Sequence, residues 1–145
     1  MTEHKKYLDF EIVKELWNKY TLKDGSKLKT RVILESAWFI EKDQKKNYSV
    51  NIKNMTVVMC DPSLQGMKNT TKHTPEQIQQ SIEVEDARYD TISYEANEYL
   101  LDDGTRILIH SNITKISRTK LFNADGDRIY NVSLGVNLTI TPPIQ

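Results

Sequence analysis

The chain is poor in the residues that mark many functional classes. Among its 145 residues there is one cysteine, Cys60, and three histidines, His4, His73 and His110. One thiol closes no intrachain disulfide, and these four residues lack zinc-site spacing, so no metal is expected. Five glycines, with neither G-x-x-x-x-G-K-[ST] nor G-x-G-x-x-G among them, leave no phosphate-cradling loop. No excess of charge is present, since 20 Lys and Arg balance 20 Asp and Glu. That balance argues against non-specific binding to a polyanion. No apolar run approaches the length of a membrane span, and the N-terminal MTEHKKYLDF has no apolar core of a secretory signal. A cytoplasmic protein that does not contact membrane is the expectation. In that setting the six Asn-x-Ser/Thr triplets, at Asn47, Asn54, Asn69, Asn112, Asn131 and Asn137, read as strand composition and not as glycosylation acceptors.

Catalytic signatures are also missing. No G-x-S-x-G occurs, and Cys60 follows a strand end instead of opening a helix. In FNADGDRIY, Asn123, Asp125 and Asp127 alternate as in a calcium loop, but the sixth residue is Arg128 and the twelfth Leu134, where that loop needs Gly and Glu. A Gly-containing hairpin loop accounts for ADGD. No catalytic residue, metal or cofactor is assigned.

What the chain does contain is one phrase written twice. YTLKDGSKL at 20–28 returns as YLLDDGTRI at 99–107. A shift of 79 positions also places Phe10 on Tyr89, Val13 on Ile92, Asn18 on Asn97, Leu22 on Leu101 and Leu28 on Ile107. After short slips, YSVNI at 48–52 matches YNVSL at 130–134, and NMTV at 54–57 matches NLTI at 137–140. The organisation expected is a single domain of two repeats, 8–59 and 83–145, joined by a connector at 60–82.

Each repeat reads as three strands. Asp24-Gly25 and Asp103-Gly104 lie between apolar runs, and the spacing predicts type I′ hairpin turns. The strand after the first turn alternates, with Leu28, Thr30, Val32, Leu34, Trp38 and Ile40 on one face and Lys27, Lys29, Arg31 and Glu35 on the other. In the second copy Ile107, Ile109 and Ile113 keep that beat and Ile116 breaks it, which predicts a β-bulge near Thr114-Lys115. In the last strand the even positions Tyr130 to Ile140 are apolar and the odd ones polar or Gly. FEIVKELWNKY has helical composition, but its counterpart YDTISYEANEY does not, so both are read as strands. Thr74-Pro75-Glu76-Gln77 has the form of a capping box and predicts a short helix near 75–81. The fold class expected is all-β: one six-stranded barrel or sandwich with pseudo-twofold symmetry, or else two tandem small barrels.

The phrase L-x-D-G-[ST]-x-[LI] resembles the first motif of Sm-like RNA-binding barrels. The Gly that follows it in those barrels and the later Ile-Arg-Gly are absent, so their RNA-binding role is not carried over. NEYLLDDGT followed by TKISRTK is similar to small archaeal β-proteins without an assigned activity, which implies no site.

The candidate interaction face comprises Lys27, Lys29 and Arg31, with Trp38 farther along the same strand and Arg106 and His110 in the second copy. A non-catalytic binding or assembly module for a protein partner, including a second copy of the chain, is the reading. A nucleic-acid-binding barrel using the basic face is the alternative, and an enzyme with a site between the repeats is the third.

Overall fold

Chain reversals are set by loops in which a single residue type solves a local steric problem. In the computed structural model, which describes residues 4–143, Gly25 N–H donates to the Leu22 carbonyl at 3.0 Å and Leu22 N–H to the Ser26 carbonyl at 2.8 Å. Gly104 repeats this with Leu101 and Thr105. Only the glycines take positive φ in these loops, 93° at Gly25 and 91° at Gly104. The type I′ expectation is therefore corrected: Asp24 and Asp103 keep negative φ, and each Asp uses its carboxylate to accept the N–H two residues on, from Ser26 and Thr105. The turn with two successive positive φ values is Asp43-Gln44, at 52° and 65°.

The described residues form a nearly all-β structure of two antiparallel sheets, with strands making up well over half of them. Ten strands are present, β1 (Lys6–Leu8), β2 (Phe10–Lys14), β3 (Asn18–Leu22), β4 (Lys27–Lys42), β5 (Lys45–Met59), β6 (Ile82–Val84), β7 (Tyr89–Ser93), β8 (Asn97–Leu101), β9 (Arg106–Phe122) and β10 (Arg128–Thr141). The connector holds a 3₁₀ turn, Pro62–Leu64, and one helix, α1 (Pro75–Gln80), closed by the reciprocal Thr74–Gln77 capping box. No helix among the described residues is long and apolar enough to cross a membrane.

Ten strands replace the six expected because each strand before an Asp-Gly turn is interrupted, at 15–17 and at 94–96, and because β1 and β6 add short partners to β4 and β9. The interruption has a consequence for topology. In one sheet β4 pairs with β1, β3 and β5, and β3 pairs with β7; in the other β9 pairs with β6, β8 and β10, and β8 pairs with β2. The strand β2 thus leaves its own sequence half to pair with β8, Glu11 opposite Leu100, and β7 pairs with β3, Thr21 opposite Asp90.

Two buried asparagines hold these crossings. Leu16 N–H donates to Asn97 Oδ1 at 2.8 Å, and Asn97 Nδ2 donates to the Val32 carbonyl at 3.0 Å. In the aligned positions, Glu95 N–H donates to Asn18 Oδ1 at 2.9 Å, and Asn18 Nδ2 to Ser111 Oγ at 3.3 Å. A short polar side chain that both accepts and donates suits a point where the backbone leaves one ladder before joining the next.

Both long central strands are bulged, and at aligned positions. The β9–β10 register slips at Thr114, as expected, and the β4–β5 register slips at Glu35. The second slip corrects the facing of β4: beyond Glu35 the buried side chains are Ala37 and Phe39, and Trp38 and Ile40 turn to the other side. One extra residue inverts a period of two. Apolar side chains from both halves then meet in two clusters. Val32, Leu34 and Ala37 pack with Tyr99, Leu101, Ile107 and Ile109; Tyr20, Leu22 and Leu28 pack with Ile116.

Candidate functional site

The outer face of the first sheet is built by the register of β3, β4 and β5. Lys27, Lys29 and Arg31 lie opposite Met59, Val57 and Met55 on β5, while Lys29 lies opposite Lys19 on β3. Because opposite residues share a face, a basic row on β4 and β3 runs beside an apolar row on β5. Val57 is 39% exposed and Met59 47% exposed. On the β7 side Ile92 is 63% exposed. A cleft of about 440 Å³ lies on this face, lined by Lys19, Lys27, Lys29, Met59 and Ile92 together with Thr21.

Trp17, in the interruption between β2 and β3, anchors the other end of the basic row. The Lys29 ammonium stands 4.4 Å and the Arg31 guanidinium 4.5 Å from its ring centroid. Such contacts are worth about 0.5–2 kcal/mol, and they occupy the indole with cations. Arg31 also approaches Glu15 at 3.7 Å and Met55 Sδ at 3.7 Å. Among the described residues no carboxylate pairs with Lys19, Lys27 or Lys29.

The remaining candidates lie elsewhere. Trp38 is on the same side of β4 but seven residues beyond Arg31, about 20 Å at strand rise, where it contacts Tyr7 and Lys5. Arg106 and His110 belong to the second sheet, where Glu98 neutralises Arg106 at 2.6 Å and His110 lies opposite Asn137. The structure therefore gathers Lys27, Lys29 and Arg31 and separates them from Trp38, Arg106 and His110. It adds Lys19, Trp17, Met55, Val57, Met59 and Ile92. The alternation in NMTVVM was visible in the sequence; which strand it lies beside depends on register.

A second group of polar residues joins the two sequence halves. Tyr130 Oη donates to Asp24 Oδ2 at 2.6 Å, and Tyr48 Oη donates to Asp103 Oδ2 at 2.6 Å. Burial pushes both carboxyls upward, but hydrogen bonds outweigh it and hold them below the usual value: from Tyr130, the Ser26 backbone and Arg118 at Asp24, and from Tyr48 and Thr105 at Asp103. The phenols respond oppositely. Burial, then donation to a carboxylate, raises Tyr130, and the same causes raise Tyr99, which donates to Glu15 at 2.7 Å. At the Asp24 end Arg118 bridges to Glu83, which also binds Arg128. The position aligned with Arg118 is Phe39, so among the described residues the Asp103 end has no counterpart of the Arg118 bridge. These carboxylates are bound up by donors in contacts between the halves. Among the described residues no group of three or more His, Cys, Asp or Glu could hold a metal ion.

Compared with known proteins, the chain matches no family model, no curated protein and no solved structure.

Proposed function

We propose that the chain is an interlocked pair of β repeats, a sandwich with pseudo-twofold symmetry, acting as a non-catalytic module that binds a polypeptide carrying acidic and apolar side chains together. The observation that carries this reading is the cleft where Lys19, Lys27 and Lys29, paired with no carboxylate among the described residues, stand beside exposed Met59 and Ile92. Lysines supply charge attraction to acidic groups, and the adaptable Met59, beside the exposed Ile92, accepts apolar ones. A nucleic acid is less well served. Trp17, the aromatic beside these cations, is already covered by Lys29 and Arg31, whereas binders of single strands leave such rings open for stacking.

The test is selection of binders from a random peptide library displayed on phage. Peptides combining Asp or Glu with apolar residues, and losing affinity for Lys27→Glu with Lys29→Glu, are the expected result. Selection without an acidic bias, or tighter binding of a single-stranded oligonucleotide than of any selected peptide, refutes it.

A further inference from the structure

Two long strands, β5 and β10, are paired on one side only. Among the described residues β5 pairs with β4 alone and β10 with β9 alone. A free edge presents a row of unpaired N–H and C=O groups, and natural proteins blunt such edges with Lys, Pro or bulges. β5 carries Lys45, Lys46 and Lys53. β10 differs: after Arg128 it has no charged residue and no proline through Thr141, and at both register shifts the extra residues belong to β9. Its apolar row is incompletely covered as well, Leu138 being 40% exposed.

We infer that β10 is the seam of a homodimer, pairing antiparallel with β10 of a second copy across a twofold axis at Gly135. This edge is distinct from the Lys27–Lys29 face, and the inference stands without that reading. A second copy is the occupant because the strand is complementary to itself. With the axis at Gly135, Ser133 lies opposite Asn137 of the second copy and Asn131 opposite Thr139, so polar meets polar. Val132 lies opposite Leu138 and Leu134 opposite Val136 on the other face, so apolar meets apolar. Arg128 falls past the end of the ladder, so no like charges oppose each other. An isologous contact of this kind closes on itself and leaves no free β10 edge to extend a fibre.

Sedimentation of the full chain tests this. The wild type is expected to sediment at twice the 16.9 kDa chain mass. Ser133→Lys with Asn137→Lys places introduced lysines opposite one another and is expected to sediment at the single-chain mass; so is Ser133→Glu with Asn137→Glu. Mixed one to one, the two variants are expected to regain the dimer mass, because the same register then opposes Lys to Glu. Amide exchange in wild-type β10 supplies a readout independent of the variants, with protection at 132–138 rising with protein concentration. A monomeric wild type, charge variants that remain dimeric alone, folded variants that do not recombine, or concentration-independent exchange in β10 each overturns the inference.

Discussion

Replacing Asn97 with Ala removes a side chain that satisfies two backbone groups at the point where β2 crosses to the other sheet. Asn97 is 5% exposed; it accepts from Leu16 N–H and donates to the Val32 carbonyl. Stranding a buried backbone donor or acceptor costs about 1–3 kcal/mol, so the two together come to roughly 2–6 kcal/mol. Against a typical domain stability of about 5–15 kcal/mol that is a large fraction. Asn18→Ala is expected to cost less, because its amide donates to the Ser111 hydroxyl, which can rotate to another partner, at a longer 3.3 Å. Equilibrium urea unfolding is the assay, read as a fall in midpoint at unchanged slope. Exposed Asn51→Ala on β5, outside the proposed β10 seam, serves as control, with a change within about 0.5 kcal/mol. If Asn97→Ala costs no more than Asn51→Ala, or less than Asn18→Ala, the assignment of these asparagines as the crossing supports is refuted.

Other perturbations follow from the same contacts. Asp24 and Asp103 are held below the unfolded carboxylate value, so their contribution is present above about pH 4 and is lost as pH falls through their folded values. Melting temperature against pH should fall on that acid limb, and Tyr48→Phe with Tyr130→Phe should flatten it. Tyr99 and Tyr130 are raised in the folded chain, so their contribution is present below about pH 10 and is lost as pH rises through the folded values, a second decline on the alkaline side. In the two core clusters, Leu28→Ala and Ile107→Ala each remove a side chain no more than 1% exposed. Each should cost about 2–5 kcal/mol by urea unfolding, and costs below about 1 kcal/mol would contradict the burial described.

The sequence carried the elements farther than it carried their partners. Alternation located β4, β9 and β10, and the capping box located α1, because period and local hydrogen bonding are short-range properties. The bulge in β9 was visible because Ile116 falls out of phase. The aligned bulge in β4 was hidden, since Trp38 and Ile40 are apolar and continue the beat in sequence although they face outward. The crossing of β2 to β8 has no local signal: a strand that pairs with its own half and one that pairs with the other need the same alternation. Asn18 and Asn97 align between the halves, but their polar neighbourhoods, WNKY and EANEY, do not say which strand each segment pairs with. The candidate site divided the same way. Lys27, Lys29 and Arg31 share a strand face by periodicity alone, whereas Met59, Ile92 and Lys19 join them only through β4–β5, β3–β7 and β3–β4 pairing.

The exchange of β2 and β7 between the halves is tested most directly by a cysteine pair. In a Cys60→Ser background, Glu11→Cys with Leu100→Cys places two thiols at directly opposite positions of the β2–β8 ladder, within disulfide reach of about 4.5–5.5 Å between Cα atoms. Oxidation under native conditions should yield an intrachain disulfide, read as a cross-linked single chain after denaturation. If β2 instead folded back on its own half, the aligned position would be Thr21, and Glu11→Cys with Thr21→Cys would cross-link in its place. Rapid closure of the Glu11–Leu100 pair and none of the Glu11–Thr21 pair is the result expected here; the reverse pattern would contradict the interlocked fold.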